Sequence, residues 1–122
     1  MIRRHRSLLL SALAAVAALT LALPALARQD ATTNVTVNAG LPSEFDYKLS
    51  KTAAKRGTVV FKLVNKGNIK HNFKIGGKKT PAIASGKSAT LSLTTTKVGS
   101  YPYLCTLPGH AAAGMKGTFK VT

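Results

Sequence analysis

Near the C-terminus, Cys105, His110 and Met115 follow one another at equal steps of five, with small or turn-forming residues between them. On a helix, at about 100° per residue, such steps send the three side chains to different sides of the rod. On a strand, odd steps alternate faces. The three can therefore converge only on a loop, and Pro108-Gly109 and Gly114 are residue types that bend a backbone into one. A thiolate, an imidazole and a weaker thioether contact suit copper in an electron-transfer site, which needs one further histidine from elsewhere. His71 is the candidate.

The rest of the chain alternates in the manner of strands. Val35 and Val37 interleave with Asn34, Thr36 and Asn38, and Phe45, Tyr47 and Leu49 with Asp46 and Lys48. Residues 58–65 give the clearest strand, with Val59, Phe61 and Leu63 on one face. In a strand over residues 70–75, His71 shares the inward face with Phe73 and Ile75, while Lys70, Asn72 and Lys74 point away. Residues 50–57 read as a polar connection and residues 76–86 as a basic loop. Ala89, Leu91 and Leu93 mark another strand. Tyr101, Tyr103 and Cys105 share one face of the next, so the thiol is delivered inward at a strand end. Phe119 and Val121 continue the parity of Met115 on a closing strand. About seven short strands without a convincing helix predict an all-β fold, an antiparallel β-sandwich.

The C-x4-H-x4-M run, followed by Gly117 and a closing strand and preceded by His71-Asn72, resembles the type 1 "blue" copper proteins of the cupredoxin family, in the plastocyanin and azurin group. That resemblance implies a Greek-key cupredoxin sandwich holding one mononuclear copper. It implies His71, Cys105 and His110 as strong ligands, Met115 as the axial one, and Asn72 as a support behind them. It also implies a docking patch around His110, for which Leu107, Pro108, Ala111, Ala112 and Ala113 are small or apolar enough. The function implied is relay of single electrons between redox partners, without enzymatic activity. A copper carrier or store that does not cycle is the alternative.

Other chemistries fit less well. A binuclear copper centre needs two bridging cysteines, and the chain has one. Sites wired to a second copper carry histidine beside the cysteine, where this chain has Leu104 and Thr106. A thiol enzyme would need an orienting acid or amide, and the three acidic residues, Asp30, Glu44 and Asp46, are far from the loop in sequence.

Arg3, Arg4 and Arg6, an apolar run from Leu8 to Leu23 and Ala25-Leu26-Ala27 read as an export leader cleaved after Ala27. Residues 1–27 are thus expected to be a signal peptide and 28–122 the domain. This run of sixteen residues before Pro24, apolar but for Ser11 and Thr20, falls short of the roughly 20 a spanning helix needs. The general secretory route suits the leader better than the twin-arginine one. The product is expected in the periplasm, the cell envelope or the medium, as a monomer with no membrane span. A lone cysteine there is best protected by metal ligation. Removal of the leader lowers the net charge from +15 to +12. Such a surface suits an acidic redox protein or an anionic envelope surface. Nucleic acid is disfavoured: the basic residues are mostly lysine, lie along the whole chain and follow no nucleic-acid motif.

Overall fold

Where apolar and polar residues alternate, side chains are alternately buried and exposed, and the backbone pairs as strand. The computed structural model describes residues 15–22 and 31–122. The expected cleavage point after Ala27, and most of the leader, lie outside the described residues. Val35, Val37 and Ala39 are buried along β1 (Thr32–Ala39), and Val59, Phe61 and Leu63 along β4 (Gly57–Asn65). Leu91 and Leu93 do the same on β7 (Ser88–Thr95). With β2 (Tyr47–Leu49) these form one sheet in the order β2-β1-β4-β7. The second sheet contains β3 (Ala53–Ala54), β5 (Lys74–Ile75), β6 (Lys78–Lys79), β8 (Gly99–Leu104) and β9 (Lys116–Val121), in the order β3-β9-β8-β5-β6.

The sandwich is as expected, and its details differ from the sequence reading. Among the described residues there are nine strands rather than about seven, and the sheets are mixed rather than wholly antiparallel. β1 is flanked by β2 antiparallel on one side and by β4 parallel on the other. Between them the chain leaves for the second sheet, where β3 runs parallel to β9, and then returns. A crossover of this kind lets two strands of one sheet run in the same direction.

The strand expected over residues 70–75 is strand only at Lys74–Ile75. Gly76 and Gly77, at φ 57° and 76°, form a two-residue turn that sends Lys78–Lys79 back along it. The chain then brings Ile83 opposite His71 in an isolated bridge, with His71 N donating to Ile83 O at 3.2 Å and Ile83 N to His71 O at 2.9 Å. Part of the loop expected over 76–86 is therefore paired backbone.

Between the sheets, Phe61 packs against Phe73 and Phe119, with ring centroids 5.3 and 5.2 Å away. Tyr47 and Tyr103 extend this stack toward the metal end, each lying against Phe73. No helix among the described residues is long and apolar enough to cross a membrane.

Phe61 is fully buried and its neighbour Lys62 points to solvent. Phe61→Ala is therefore expected to cost about 3–5 kcal/mol of stability, and Lys62→Ala no more than about 0.5 kcal/mol. Urea unfolding monitored by far-ultraviolet circular dichroism checks both.

Candidate metal centre

The β8–β9 ladder runs as far as Leu104 opposite Lys116, and one more contact continues it: Cys105 N donates to Met115 O at 3.1 Å. Two residues ten apart in sequence thus become neighbours across the ladder. The intervening loop is closed by its own backbone. His110 N donates to Leu107 O at 3.1 Å, Ala113 N to Gly109 O at 3.0 Å, and Met115 N to His110 O at 3.1 Å. The last bond ties His110 directly to Met115. Cys105 and Met115 are buried, and His110 is 9% exposed.

His71 arrives from the other side of the site and is fully buried. Its position is set by the Ile83 bridge and by Asn65, which donates through Nδ2 to Ile69 O at 2.7 Å and Ile83 O at 2.9 Å. Asn65 Oδ1 also accepts from Gly67 N at 2.9 Å. One buried amide therefore fastens both stretches of backbone around the histidine.

The donor atoms of His71, Cys105 and His110 lie within 4.8 Å of one another. Nδ1 of His71 is 3.2 Å from Nδ1 of His110, which is 3.4 Å from Cys105 Sγ. Two imidazole nitrogens and a sulfur, all lone-pair donors when the thiol is ionised, converge in a buried space where a cation satisfies them together. A soft sulfur with two imidazoles suits copper or zinc, and a thioether at the fourth corner favours copper. The residues fit a type 1 copper, with His71, Cys105, His110 and Met115 available to hold it.

Asn72 was expected to point away; it is buried at 4% exposure and braces the loop. Its Nδ2 donates to Thr106 Oγ1 at 2.6 Å, and its Oδ1 accepts from Thr106 N at 2.8 Å. Asn72 thus locks the residue after Cys105 to the residue after His71. The Tyr47 hydroxyl donates to the Asn72 carbonyl, and burial raises the tyrosine pKa well above its ordinary value. Phe45 sets its ring against His110, edge to face, at 5.1 Å. Burial also lowers the pKa of His110, with His71 adding to the effect, so the neutral ring is favoured.

Glu44 escaped the sequence reading, which set it aside as remote. Its Oε1 is 2.7 Å from His71 Nε2, the ring nitrogen opposite the cluster. Hydrogen bonds from the Asn68 amide and from His71 lower its pKa and favour the carboxylate. Asn65 was also missed. Nothing local marks either residue, because each acts on backbone or ring atoms brought near by the fold. The scarcity of acids was the one available hint for Glu44. Around His110, Pro108, Ala112 and Ala113 are exposed, and Leu107 and Ala111 are half-buried.

Comparison with known proteins bears on this geometry. Residues 11–119 match the family described as Cupredoxin-like domain. Over 43 residues the chain is 46% identical to auracyanin-B of Chloroflexus aurantiacus, a match that spans 35% of this chain and only 18% of that relative. The fold resembles a solved auracyanin B structure, with TM-score 0.59 and 25% identity over 80% of this chain and 93% of that one. It also resembles rusticyanin from Thiobacillus ferrooxidans, with TM-score 0.64 over 75% of this chain and 77% of that one; at 24% identity this likeness speaks for the fold alone.

Replacing Asn72 by alanine removes both bonds to Thr106 and leaves the Thr106 amide without its acceptor. Stability is expected to fall by about 1–3 kcal/mol, measured by thermal unfolding of the metal-free protein. Thr106→Ala, which keeps the amide bond, is expected to cost less.

Proposed function

This chain belongs to the cupredoxin-like family, and on that footing we propose that it relays single electrons between redox partners through one mononuclear type 1 copper held by His71, Cys105, His110 and Met115. The observation that carries this reading is the convergence of two imidazole nitrogens and a thiol within 4.8 Å, buried beside Met115. Bound there, copper supplies a one-electron couple between Cu(I) and Cu(II). The protein's part is to hold the donors still. Cys105 and Met115 are held by the ladder, His110 by the loop bonds, and His71 by Asn65 and Ile83. Ligands that cannot move with oxidation state keep the cost of changing it small.

The reading includes export, with residues 1–27 as the leader and 28–122 as the domain. Docking is assigned to the rim of Leu107, Pro108, Ala111, Ala112 and Ala113 around the slightly exposed His110. Brief redox encounters use small interfaces, and small apolar side chains suit one. Charge supports an acidic partner. Lys79, Lys74, Leu104 and Lys116 face one another in a single cross-strand row on the outer side of the sheet that leads to Cys105. The outer side of the other sheet carries mainly Thr, Ser, Asn and Val, with Lys48 and Lys62. Like charges set directly opposite repel. A partner bringing carboxylates relieves that repulsion and is steered toward the metal end.

Adding Cu(II) to the purified copper-free protein is expected to give an intense sulfur-to-copper absorption and narrow copper hyperfine splitting in electron paramagnetic resonance. Cys105→Ser is expected to abolish the absorption. Ordinary weak copper spectra from the wild-type chain would overturn the assignment. For docking, electron transfer to an acidic c-type cytochrome at low ionic strength is measured by stopped flow. The pair Lys74→Glu with Lys79→Glu is expected to slow it about tenfold. The pair Lys48→Glu with Lys62→Glu, with the same change in net charge, is expected to have a much smaller effect. Ala112→Phe is expected to slow it at every ionic strength.

A further inference from the structure

We propose that Glu44 is a positioning residue of the metal centre, whose carboxylate holds the His71 imidazole in one tautomer and one orientation, with Nδ1 bare and aimed at the cluster. This rests on His71 serving as a ligand, as proposed above. A neutral imidazole carries a single ring proton. With a carboxylate oxygen 2.7 Å from Nε2, that proton resides on Nε2, and Nδ1 presents its lone pair to His110 and Cys105.

The carboxylate is held as firmly as it holds. Oε1 also accepts from Asn68 N at 3.1 Å and Ile69 N at 3.2 Å, and Oε2 from Asn68 N at 2.9 Å. Every one of these donors belongs to the short stretch leading into His71, so one side chain clamps both the ring and the backbone that carries it. Gly67 leaves room for the clamp. A Cβ at that position would meet Glu44 Oε1 at 2.3 Å and His71 Nε2 at 2.9 Å. A side chain at position 67 would therefore push the carboxylate off the ring.

A carboxylate behind a ligating imidazole strengthens it as a donor, and losing such a partner typically costs 10–100-fold in metal affinity. Negative charge one ring away from the metal also favours its more highly charged state. Glu44 should therefore hold the reduction potential below the value an uncharged acceptor would give.

The test compares wild type, Glu44→Ala and Glu44→Gln. Nitrogen-15 NMR of the imidazole side chains is recorded on the copper-free chain, and copper affinity and reduction potential on the loaded one. Wild-type His71 is expected as a single tautomer with Nε2 protonated; Glu44→Ala is expected to show both tautomers and about 10–100-fold weaker copper binding. Glu44→Gln, which still offers an acceptor oxygen, is expected to restore the single tautomer and most of the affinity but with a raised potential. A folded Glu44→Ala protein with an unchanged tautomer, affinity and potential would overturn the proposal. If Glu44→Ala does not fold, Glu44→Gln decides: a wild-type potential overturns it. Absence of a type 1 spectrum from the wild type would instead sink the copper assignment. The tautomer measurement, made without copper, would still decide whether Glu44 orients the His71 ring.

Discussion

The antiparallel pairing of β8 with β9 is the constraint on which the metal end depends. Residues spaced by five cannot meet on a helix or a strand, yet the first and last of this run are brought together by the bond from Cys105 N to Met115 O. With those two ends joined, the loop has little freedom. Its turns carry His110 back until its carbonyl accepts from Met115 N, and the imidazole then comes to lie beside the thiol. Three of the four donors are thus products of one hairpin. Slippage of the ladder by one residue would put the two sulfurs on opposite faces, and the register is held by Phe119 and Val121 in the core.

The fourth donor has no such ladder. His71 lies in a stretch paired only through the Ile83 bridge, and its placement relies on polar side chains instead. That accounts for the concentration of buried polar groups at this end. Asn65, Asn72 and Thr80 are all nearly inaccessible, and each is hydrogen-bonded to backbone near His71 or to the cysteine loop. Among the described residues, no buried side-chain nitrogen or oxygen lacks a partner. A network satisfied this fully adds rigidity; one missing partner would leave it costing stability.

This division explains what could be read from the sequence. Period-2 alternation reports which face of a strand is buried, so the core residues of β1, β4, β7 and β9 were legible, as were the donors carried into the site by strand ends. Pairing direction was not legible, because alternation is the same for parallel and antiparallel neighbours; hence the parallel β1–β4 pair was missed. The Gly76-Gly77 hairpin was marked by its glycines and still read as loop, since its strands are two residues each. Asn72 was named as a support while its strand parity pointed it outward, because the backbone there leaves regular strand geometry. Glu44 was invisible for a different reason. Its partners are 24 to 27 positions away, and hydrogen bonds to backbone amides and a ring nitrogen leave no compositional trace.

The chain's charges act at two different ranges. The lysines of the outer row are exposed, and beyond a Debye length of about 8 Å at physiological salt their field is largely screened. In the function proposed above they draw in an acidic partner at close approach while having little effect on a buried metal. Glu44 is 26% exposed, and its Oε1 lies 2.7 Å from His71 Nε2, directly behind the proposed ligand. A surface that is cationic for docking and a site that is anionic enough to hold a cation are therefore compatible. On these proposals the incoming partner responds to the lysine row, and the metal responds first to the carboxylate one imidazole away.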